Sequence, residues 1–467
     1  MARILFIVAG ENNPNSPTNS IPLGVLCLAS YIRNMGSHVP HVFDMHIEDG
    51  GVSGALSFAR EFKPDIIGIS ARTNMSPTMH ALATQLKNTL SETRIVVGGP
   101  HPSGYVEETL ANKAIDVSVL GEGEITFSEL VPLLGAGADF SGIRGIAFMR
   151  DGHVVQTEPR PFIEDLNTLP FPAWDLLKFD KYWKRNSFSR LGPRPYMSLF
   201  SSRACPYGCI YCHKLFGKKY RARSPENVIE EIETLVSRYG IKSFEFVDDC
   251  FNLDRGRVSR ICDEIIARKL RLTLAFPNGL RGDLLDHALL KKMKEAGTLE
   301  IGVAIETVTP RLMKMIGKNL SLEKVSRTID DARNLGIPCD GYFMLGFPTE
   351  TEEEMRDTIR FAVKSNLLYA HFMIVTPFLG TVLAERYKEK VAPFQKELGL
   401  LSLYDVSKHQ MSDVPTETVA KLQRDANREF YVNVQRILRI LWATPQKRKI
   451  PHLALKFVRN KLIGSYR

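Results

Sequence analysis

Three cysteines stand within eight residues, in the run Ser201-Ser-Arg-Ala-Cys205-Pro-Tyr-Gly-Cys209-Ile-Tyr-Cys212-His. Three thiolates on one loop hold three irons of a cubane and leave the fourth iron open for a small ligand. An open position marks a catalytic rather than a structural metal site. Zinc is the competing reading, but it asks for four ligands and only His213 is close. Seven cysteines in 467 residues are too few for a disulfide scaffold, so in a reducing compartment the trio points to a metal or cluster. Cys27, Cys250, Cys262 and Cys339 stand singly and are expected as small core residues.

Other groups capable of chemistry recur where apolar runs end. Asp248 and Asp249 follow Phe246-Val247, Asn278 and Arg281 follow another run, and Glu306 closes Ile301–Ile305. The element Gly346-Phe-Pro-Thr-Glu-Thr351 follows a further one. Each has a plain reading alone: helix-capping acids, a solvated cation, a surface carboxylate, a turn with Thr349 as N-cap. Their ordered appearance at successive strand ends argues for a shared site. Upstream, Gly98-Gly99-Pro100-His101 and Gly121-Glu122-Gly123-Glu124 end adjacent apolar runs. Glycine there lets backbone approach a large ligand, although ordinary βα turns look the same. No G-x-G-x-x-G follows the first strand and no P-loop motif occurs, so dinucleotide binding is weakly supported.

The elements that position these groups follow a βα rhythm. Strand-like runs at 3–10, 38–44, 66–71, 94–99 and 116–121 alternate with helical periods such as 23–35 and 79–91. Alternation of this kind predicts one doubly wound parallel sheet over residues 1–145. Residues 146–195 are proline-rich and predict a hairpin and linker. From 196 to 404 six strands are expected, at 196–200, 242–247, 271–276, 299–305, 339–345 and 371–376. Helices at 225–239, 255–268, 283–296, 321–334 and 352–366 separate them, which predicts a partial (β/α)6 barrel with its chemistry at the carboxyl ends. Residues 405–467 lack strands and predict a helical region. The fold class is therefore α/β with a helical C-terminal part.

Composition excludes disorder and fibrous repeats: hydrophobic residues are 44% and charged residues 24%. No apolar run nears the roughly 20 residues of a membrane span. The opening MARILFIVAG lacks the features of a secretory signal, so a cytoplasmic location is expected. Net charge is +9, yet residues 421–467 carry 12 Lys and Arg against only Asp425 and Glu429. The rest of the chain is about neutral. Asymmetry of this sort suggests an anionic surface as partner. Apolar positions from Val419 to Leu441 step by three and four, and Trp442 and Phe457 could anchor at a lipid interface. Peripheral contact with the inner membrane face is thus expected beside a plain packing role. Nucleic acid is not expected, because no aromatic stacking platform accompanies the charge.

The C-x3-C-x2-C spacing with Tyr211 resembles the signature of the radical S-adenosylmethionine superfamily. The likeness extends over roughly 195–380, through Asp248-Asp249, the Ile301–Glu306 strand and the Gly346–Thr351 element. The Asp-Asp pair resembles the cobalamin-associated branch. The resemblance implies that Cys205, Cys209 and Cys212 bind a [4Fe-4S] cluster. It implies that Asp248, Asp249, Asn278, Arg281 and Glu306 contact S-adenosylmethionine. Residues 1–145 resemble the cobalamin-binding domain of that branch, with Ser70, Thr73, Gly98, Gly99, Pro100, His101, Gly121, Glu122, Gly123 and Glu124 on the cofactor. Asp44-Met-His46-Ile-Glu-Asp-Gly50 is one residue too long for the Asp-x-His-x-x-Gly motif and follows the second strand, not the first. Base-off cobalamin without His46 as ligand is therefore expected, with His46 at the surface or in a linker. The activity implied is methylation of an unactivated carbon of a lipophilic small molecule (hopanoid, polyprenoid or tetrapyrrole), with flavodoxin or ferredoxin as electron donor. Radical ring closure with the same cofactors, and a non-catalytic cobalamin or iron–sulfur sensor, are the alternatives.

Overall fold

Arg3–Val8 (β1) is apolar on both faces, so it must lie inside a sheet covered from both sides. A computed structural model describes residues 2–13, 20–36, 38–395 and 410–444. In it β1 is flanked by Val39–Asp44 (β2) and Ile66–Ser70 (β3), followed by Arg94–Gly98 (β4) and Val117–Val119 (β5), all parallel. Helices Leu23–Met35 and Glu124–Ala136 bury Leu26, Ala29, Phe127 and Leu130 against one face. Helices Gly51–Phe62 and Ser76–Thr89 bury Ala55, Ala59, Met79 and Leu82 against the other. The expected hairpin, Ile146–Arg150 (β6) and His153–Gln156 (β7), does not stand apart. It extends the same sheet, with β6 antiparallel to β5.

The second sheet runs β15-β14-β13-β12-β11-β8, six parallel strands that do not close. They are Tyr196–Leu199 (β8), Ser243–Phe246 (β11), Thr273–Leu280 (β12), Thr298–Glu306 (β13), Cys339–Leu345 (β14) and Tyr369–Ile374 (β15). A small ladder of Ser202–Arg203 (β9) and Arg221–Ala222 (β10) brackets the cysteine loop. Strand β12 runs on to Leu280 through an irregular register, so Asn278 lies within the strand and not beyond it. The third helix of the expected series starts late, at His287, because Gly282–Leu284 forms a 3-10 turn and Asp286 caps the helix through Leu289 N. The helix Glu352–Lys364 is capped by Thr351 in a capping box with Glu354, not by Thr349.

The C-terminal period breaks at Val432-Asn433 into helices Thr416–Tyr431 and Val434–Ala443, the second capped by Asn433. The first buries Val419, Leu422, Ala426 and Phe430 on the barrel. It also finishes the edge of β15: the Tyr431 hydroxyl accepts from Ala370 N (3.2 Å) and donates to Ala370 O (2.9 Å). Gln423 Nε2 donates to Phe372 O. The boundary expected at 404/405 and the expected interfacial residue Phe457 lie outside the described residues. Among the described residues no helix is long and apolar enough to cross a membrane.

The linker seals the amino-terminal end of the barrel. Ser189 N donates to Glu245 Oε1 (2.8 Å), and Arg190 reaches over the Tyr369 ring with Nη2 3.3 Å from His371 Nε2. Around it Glu300 and Asp340 are buried. Burial, then the neighbouring Asp340 charge, pushes the Glu300 carboxyl up to about 7; burial pushes Asp340 up to about 6. Both therefore bind protons more tightly folded than unfolded. Their stabilising effect is full below the ordinary carboxylate range and is lost as pH rises through about 6 to 7. Thermal stability should accordingly fall between pH 5 and pH 8, by up to roughly 3 kcal/mol from this pair. Glu300→Gln should flatten that slope in a pH series of melting curves.

Candidate functional site

Cys205, Cys209 and Cys212 lie on the loop between β9 and β10, at the carboxyl end of the barrel. Cys209 is buried, Cys205 half-buried and Cys212 exposed. A hydrogen bond from Cys212 holds the Cys209 thiol down to about 6, and one from Cys250 holds Cys205 down to about 7. The same bond to Cys209, then burial, pushes the Cys212 thiol well up, so two of the three sulfurs ionise more readily than a free thiol. Cys250, expected as plain core, is buried but adjoins the loop. Glu306 ends β13 in a left-handed conformation (φ 71°). Its Oε1 accepts from Lys318 Nζ at 3.2 Å, and its Oε2 is buried without a partner. Lys318 is itself buried, and its charge acts on Cys209 and Cys212 as well as Glu306. The aromatic Tyr211 rests on Phe347 of the Gly346–Thr351 turn, ring centres 5.7 Å apart. That turn is tied by Glu350, whose Oε2 accepts from Gly346 N and Phe347 N (2.6 and 2.9 Å).

The expected S-adenosylmethionine contacts divide. Asp248 spends Oδ1 on Ser201 N, Ser201 Oγ and Ser202 Oγ (3.1, 2.8 and 2.5 Å), while Oδ2 is buried and unpartnered. It clamps the strand that leads into the cysteine loop, because a buried carboxylate must find donors. Asp249 is half-buried and faces the loop, with its charge acting on Cys205. Asn278 Nδ2 donates to Asp248 O at 2.8 Å. Arg281, expected on S-adenosylmethionine, is held by protein groups at the same strand ends. It pairs with Asp283, donates to Lys318 O and Asn319 O, and lies 3.8 Å over the Tyr207 ring. Its donors brace the cysteine loop against the loop that carries Lys318.

In the first sheet the ends of β3, β4 and β5 come together. Ala71 N donates to Gly98 O, His101 N to Ala71 O, and Gly121 N to Ser103 Oγ. Gly99 has φ 101°, and a Cβ there would lie 3.1 Å from Ala71 O. Ser70 is half-buried and Thr73 buried beside them; Pro100 opens the short helix after Gly99, and Gly123 packs on Leu28. His101 is fully buried, with Nε2 2.8 Å from Glu108 and Nδ1 unpartnered. Glu108 also meets His80 Nε2 at 3.0 Å. Asn112 Nδ2 lies 3.2 Å from His80 Nδ1, so both histidines and Asn112 are joined around Glu108 by hydrogen bonds.

His46 is neither surface nor linker. Its ring lies half-buried over Gly10, where a Cβ would stand 2.2 Å from the imidazole. Asp44 Oδ1 receives its Nδ1–H at 2.8 Å, and Arg72 Nη2 approaches Nε2 at 3.3 Å. Glu122 and Glu124, expected on the cofactor, are held by arginines of the second domain. Glu122 Oε1 accepts from Arg203 (3.0 Å) and Arg221 (2.9 Å), and its Oε2 accepts from Ile163 N. Glu124 Oε1 accepts from Arg203 at 2.6 Å. All four side chains are buried, and Arg203 stands two residues before Cys205. Tyr105 OH receives Leu379 N at 3.1 Å at the same seam. The carboxyl ends of both sheets therefore face each other. Sequence reasoning missed Lys318, Arg203, Arg221 and Cys250. Only Arg203, adjoining the cysteine run, carried a local signal.

Residues 199–362 match the radical SAM superfamily and residues 15–131 match the B12 binding domain. The uncharacterized methyltransferase PH0819 of Pyrococcus horikoshii is 36% identical over 371 residues, covering 79% of this chain and 78% of that protein. The chain belongs to the cobalamin-dependent radical S-adenosylmethionine enzymes. The cytidylyl-2-hydroxyethylphosphonate methyltransferase of Streptomyces wedmorensis is 28% identical over 92% of the chain and 89% of its own length. The anaerobic magnesium-protoporphyrin IX monomethyl ester cyclase of Rubrivivax gelatinosus is 28% identical over 85% of the chain and 72% of its own length. The fold is shared with OxsB solved with aqua-cobalamin and S-adenosylmethionine (TM-score 0.74, 15% identity, 98% of this chain and 73% of that one). It is shared also with TsrM from Kitasatospora setae solved with cobalamin and a [4Fe-4S] cluster (TM-score 0.70, 19% identity, 83% and 75%). The family's cofactors are the [4Fe-4S] cluster, S-adenosylmethionine and cobalamin. The residues fit them: acidified thiols on one loop, unpartnered buried oxygens on Asp248 and Glu306, and an unpartnered buried nitrogen at the first sheet's crevice.

Single Cys→Ala changes at 205, 209 or 212 should abolish the iron–sulfur absorption regained on anaerobic reconstitution, whereas Cys250→Ala should retain it. Glu122→Ala leaves two buried guanidiniums short of a partner and should cost roughly 3–5 kcal/mol in denaturant unfolding.

Proposed function

We propose that this enzyme methylates an unactivated carbon of a lipophilic small molecule of the hopanoid, polyprenoid or tetrapyrrole kind. The observation that carries the reading is the apposition of the two strand-end edges across the buried Glu122/Glu124–Arg203/Arg221 contacts. Methyl transfer needs a carrier and a radical source that address one substrate, and a fixed seam supplies that geometry. The names of relatives point the same way. Besides the methyltransferases above, the bacteriochlorophyllide d C-8(2)-methyltransferase of Chlorobaculum tepidum is 22% identical over 74% of the chain.

When bound, the cluster with S-adenosylmethionine supplies a hydrogen-abstracting radical and cobalamin supplies a methyl carrier. The chain's own residues do the positioning. Cys205, Cys209 and Cys212 hold the cluster. Asp249, Asn278 and the free oxygens of Asp248 and Glu306 stand where polar groups of S-adenosylmethionine would be received. Ser70, Thr73 and the Gly98–His101 and Gly121–Gly123 turns line the cobalamin side. Lys318 places a fixed positive charge beside two cluster sulfurs. A flavodoxin or ferredoxin would deliver the electron.

The cyclase relative, matching 85% of the chain, favours radical ring closure as the second reading. Anaerobic reconstituted enzyme, supplied with deuteromethyl-labelled S-adenosylmethionine, reductant and lipid or tetrapyrrole extracts, separates the two. The expected result is 5′-deoxyadenosine and S-adenosylhomocysteine together, with a deuteromethyl group in the product. Product without label, with 5′-deoxyadenosine alone, would turn the assignment to cyclisation. Neither nucleoside product from loaded enzyme would leave the sensor reading.

A further inference from the structure

The two C-terminal helices divide the roles an amphipathic helix can play. Thr416–Tyr431 turns its apolar side into the barrel. Val434–Ala443 does the reverse. Val434, Leu438 and Trp442, one helical turn apart, are 73%, 60% and 82% exposed, with Ile437 and Val432 beside them also exposed. Single exposed apolar residues are ordinary, but a ridge of this density on ten residues is not.

The helix is fastened by its opposite side. Arg436 is buried and donates to the carbonyls of Phe430 (2.6 Å), Ser365 (2.9 Å), Val363 (3.0 Å) and Leu367 (3.2 Å). Arg439 donates to Asn366 O at 2.8 Å. Ile440 and Ala443 pack on the core. The ridge is therefore presented by a docked helix.

Charge decides what covers it. Residues 421–467 hold 12 basic and two acidic side chains. Covering the ridge with the apolar residues of 453–463, or with the same face of a second copy, would press basic segments together. An anionic surface gains from the exposed charges among them, such as Lys421, Arg424 and Arg428, while Arg436 and Arg439 fasten the helix. An acidic redox protein is the wrong fit in place. The helix docks on the 363–367 turn that feeds the start of β15, and parallel strands put that end of the barrel opposite the cysteine loop.

We propose that Val434–Ala443 is an interfacial anchor that seats this enzyme on a bilayer containing anionic lipid. Val434, Leu438 and Trp442 enter the headgroup–acyl boundary, and the net positive charge of the C-terminal segment adds attraction to the headgroups. The anchor tethers the enzyme at the base of the barrel and leaves the strand-end crevice on the far side. It does not depend on which reaction the enzyme performs.

Full-length protein is sedimented with vesicles of phosphatidylcholine alone and of phosphatidylcholine mixed with phosphatidylglycerol. Binding to the mixed vesicles is expected, weakening as salt is raised. Leu438→Glu combined with Trp442→Glu should reduce it at least roughly tenfold, since two anchors and two added negative charges act together. Both positions are exposed, so its melting temperature should match the parent's. Met35→Glu, an exposed apolar residue on the first domain, should leave binding intact. A chain ending at Asn433 keeps the packed helix and should lose binding. Absence of binding to either vesicle, or unchanged binding by the double variant, overturns the proposal. So does a concentration-dependent dimer in sizing chromatography that the double variant abolishes, which would make the ridge a contact between copies.

Discussion

Two buried carboxylates, Glu122 and Glu124, meet two buried guanidiniums, Arg203 and Arg221, at the seam between the sheets. Neither sign of charge tolerates burial alone, and each finds its counterpart only when both domains are in place. Arg203 belongs to the strand that delivers the cysteine loop; Glu122 belongs to the turn that ends β5. The contact therefore sets one cofactor edge against the other. It is reinforced on either side. Asp248 grips Ser201 and Ser202 immediately upstream, and Tyr105 reaches Leu379 across the same gap. Rings sit behind the guanidiniums, Phe216 by Arg203 and Phe162 by Arg221. Positioning in this enzyme begins with electrostatics that cannot be satisfied by either domain alone.

Around the cysteine loop the same logic operates at shorter range. Arg281 joins the loop to the Lys318 segment through Tyr207, Asp283 and two carbonyls. Lys318 in turn is neutralised by Glu306, whose left-handed backbone aims its carboxylate inward. The consequence is a cysteine loop braced by neighbours from the ends of β11, β12 and β13. A cofactor arriving there meets a frame that is already assembled.

Much of this was legible in the sequence where the signal is local. The helix Pro225–Tyr239 matches its expected bounds because period, the Ser224 cap and the Gly240 terminator lie within one segment, and Leu23–Met35 matches on its apolar period. The cysteine spacing is likewise contained in a single loop. What escaped was tertiary. Glu122 and Arg203 are 81 residues apart, and Glu122 looked like part of a ligand turn because nothing nearby in the chain shows its partner. Lys318 follows an unremarkable helix end, and its charge matters only because β13 brings Glu306 to it. His46 looked peripheral because the residue it covers, Gly10, lies in the loop just past β1, far back in the chain. The amphipathic period from Val419 to Leu441 was visible, but which half is buried depends on the barrel edge beside it.

That barrel edge bears on how an open sheet survives. An unpaired outer strand is a template for joining another chain. Here Tyr431 and Gln423 take up the outward backbone groups of Ala370 and Phe372 with side chains, where a seventh strand would otherwise sit. The sheet can then stop at six strands and keep its flank unclosed. The flank beyond β15 resists edge-to-edge pairing without a seventh strand, so the gap is a finished boundary and not an incomplete barrel.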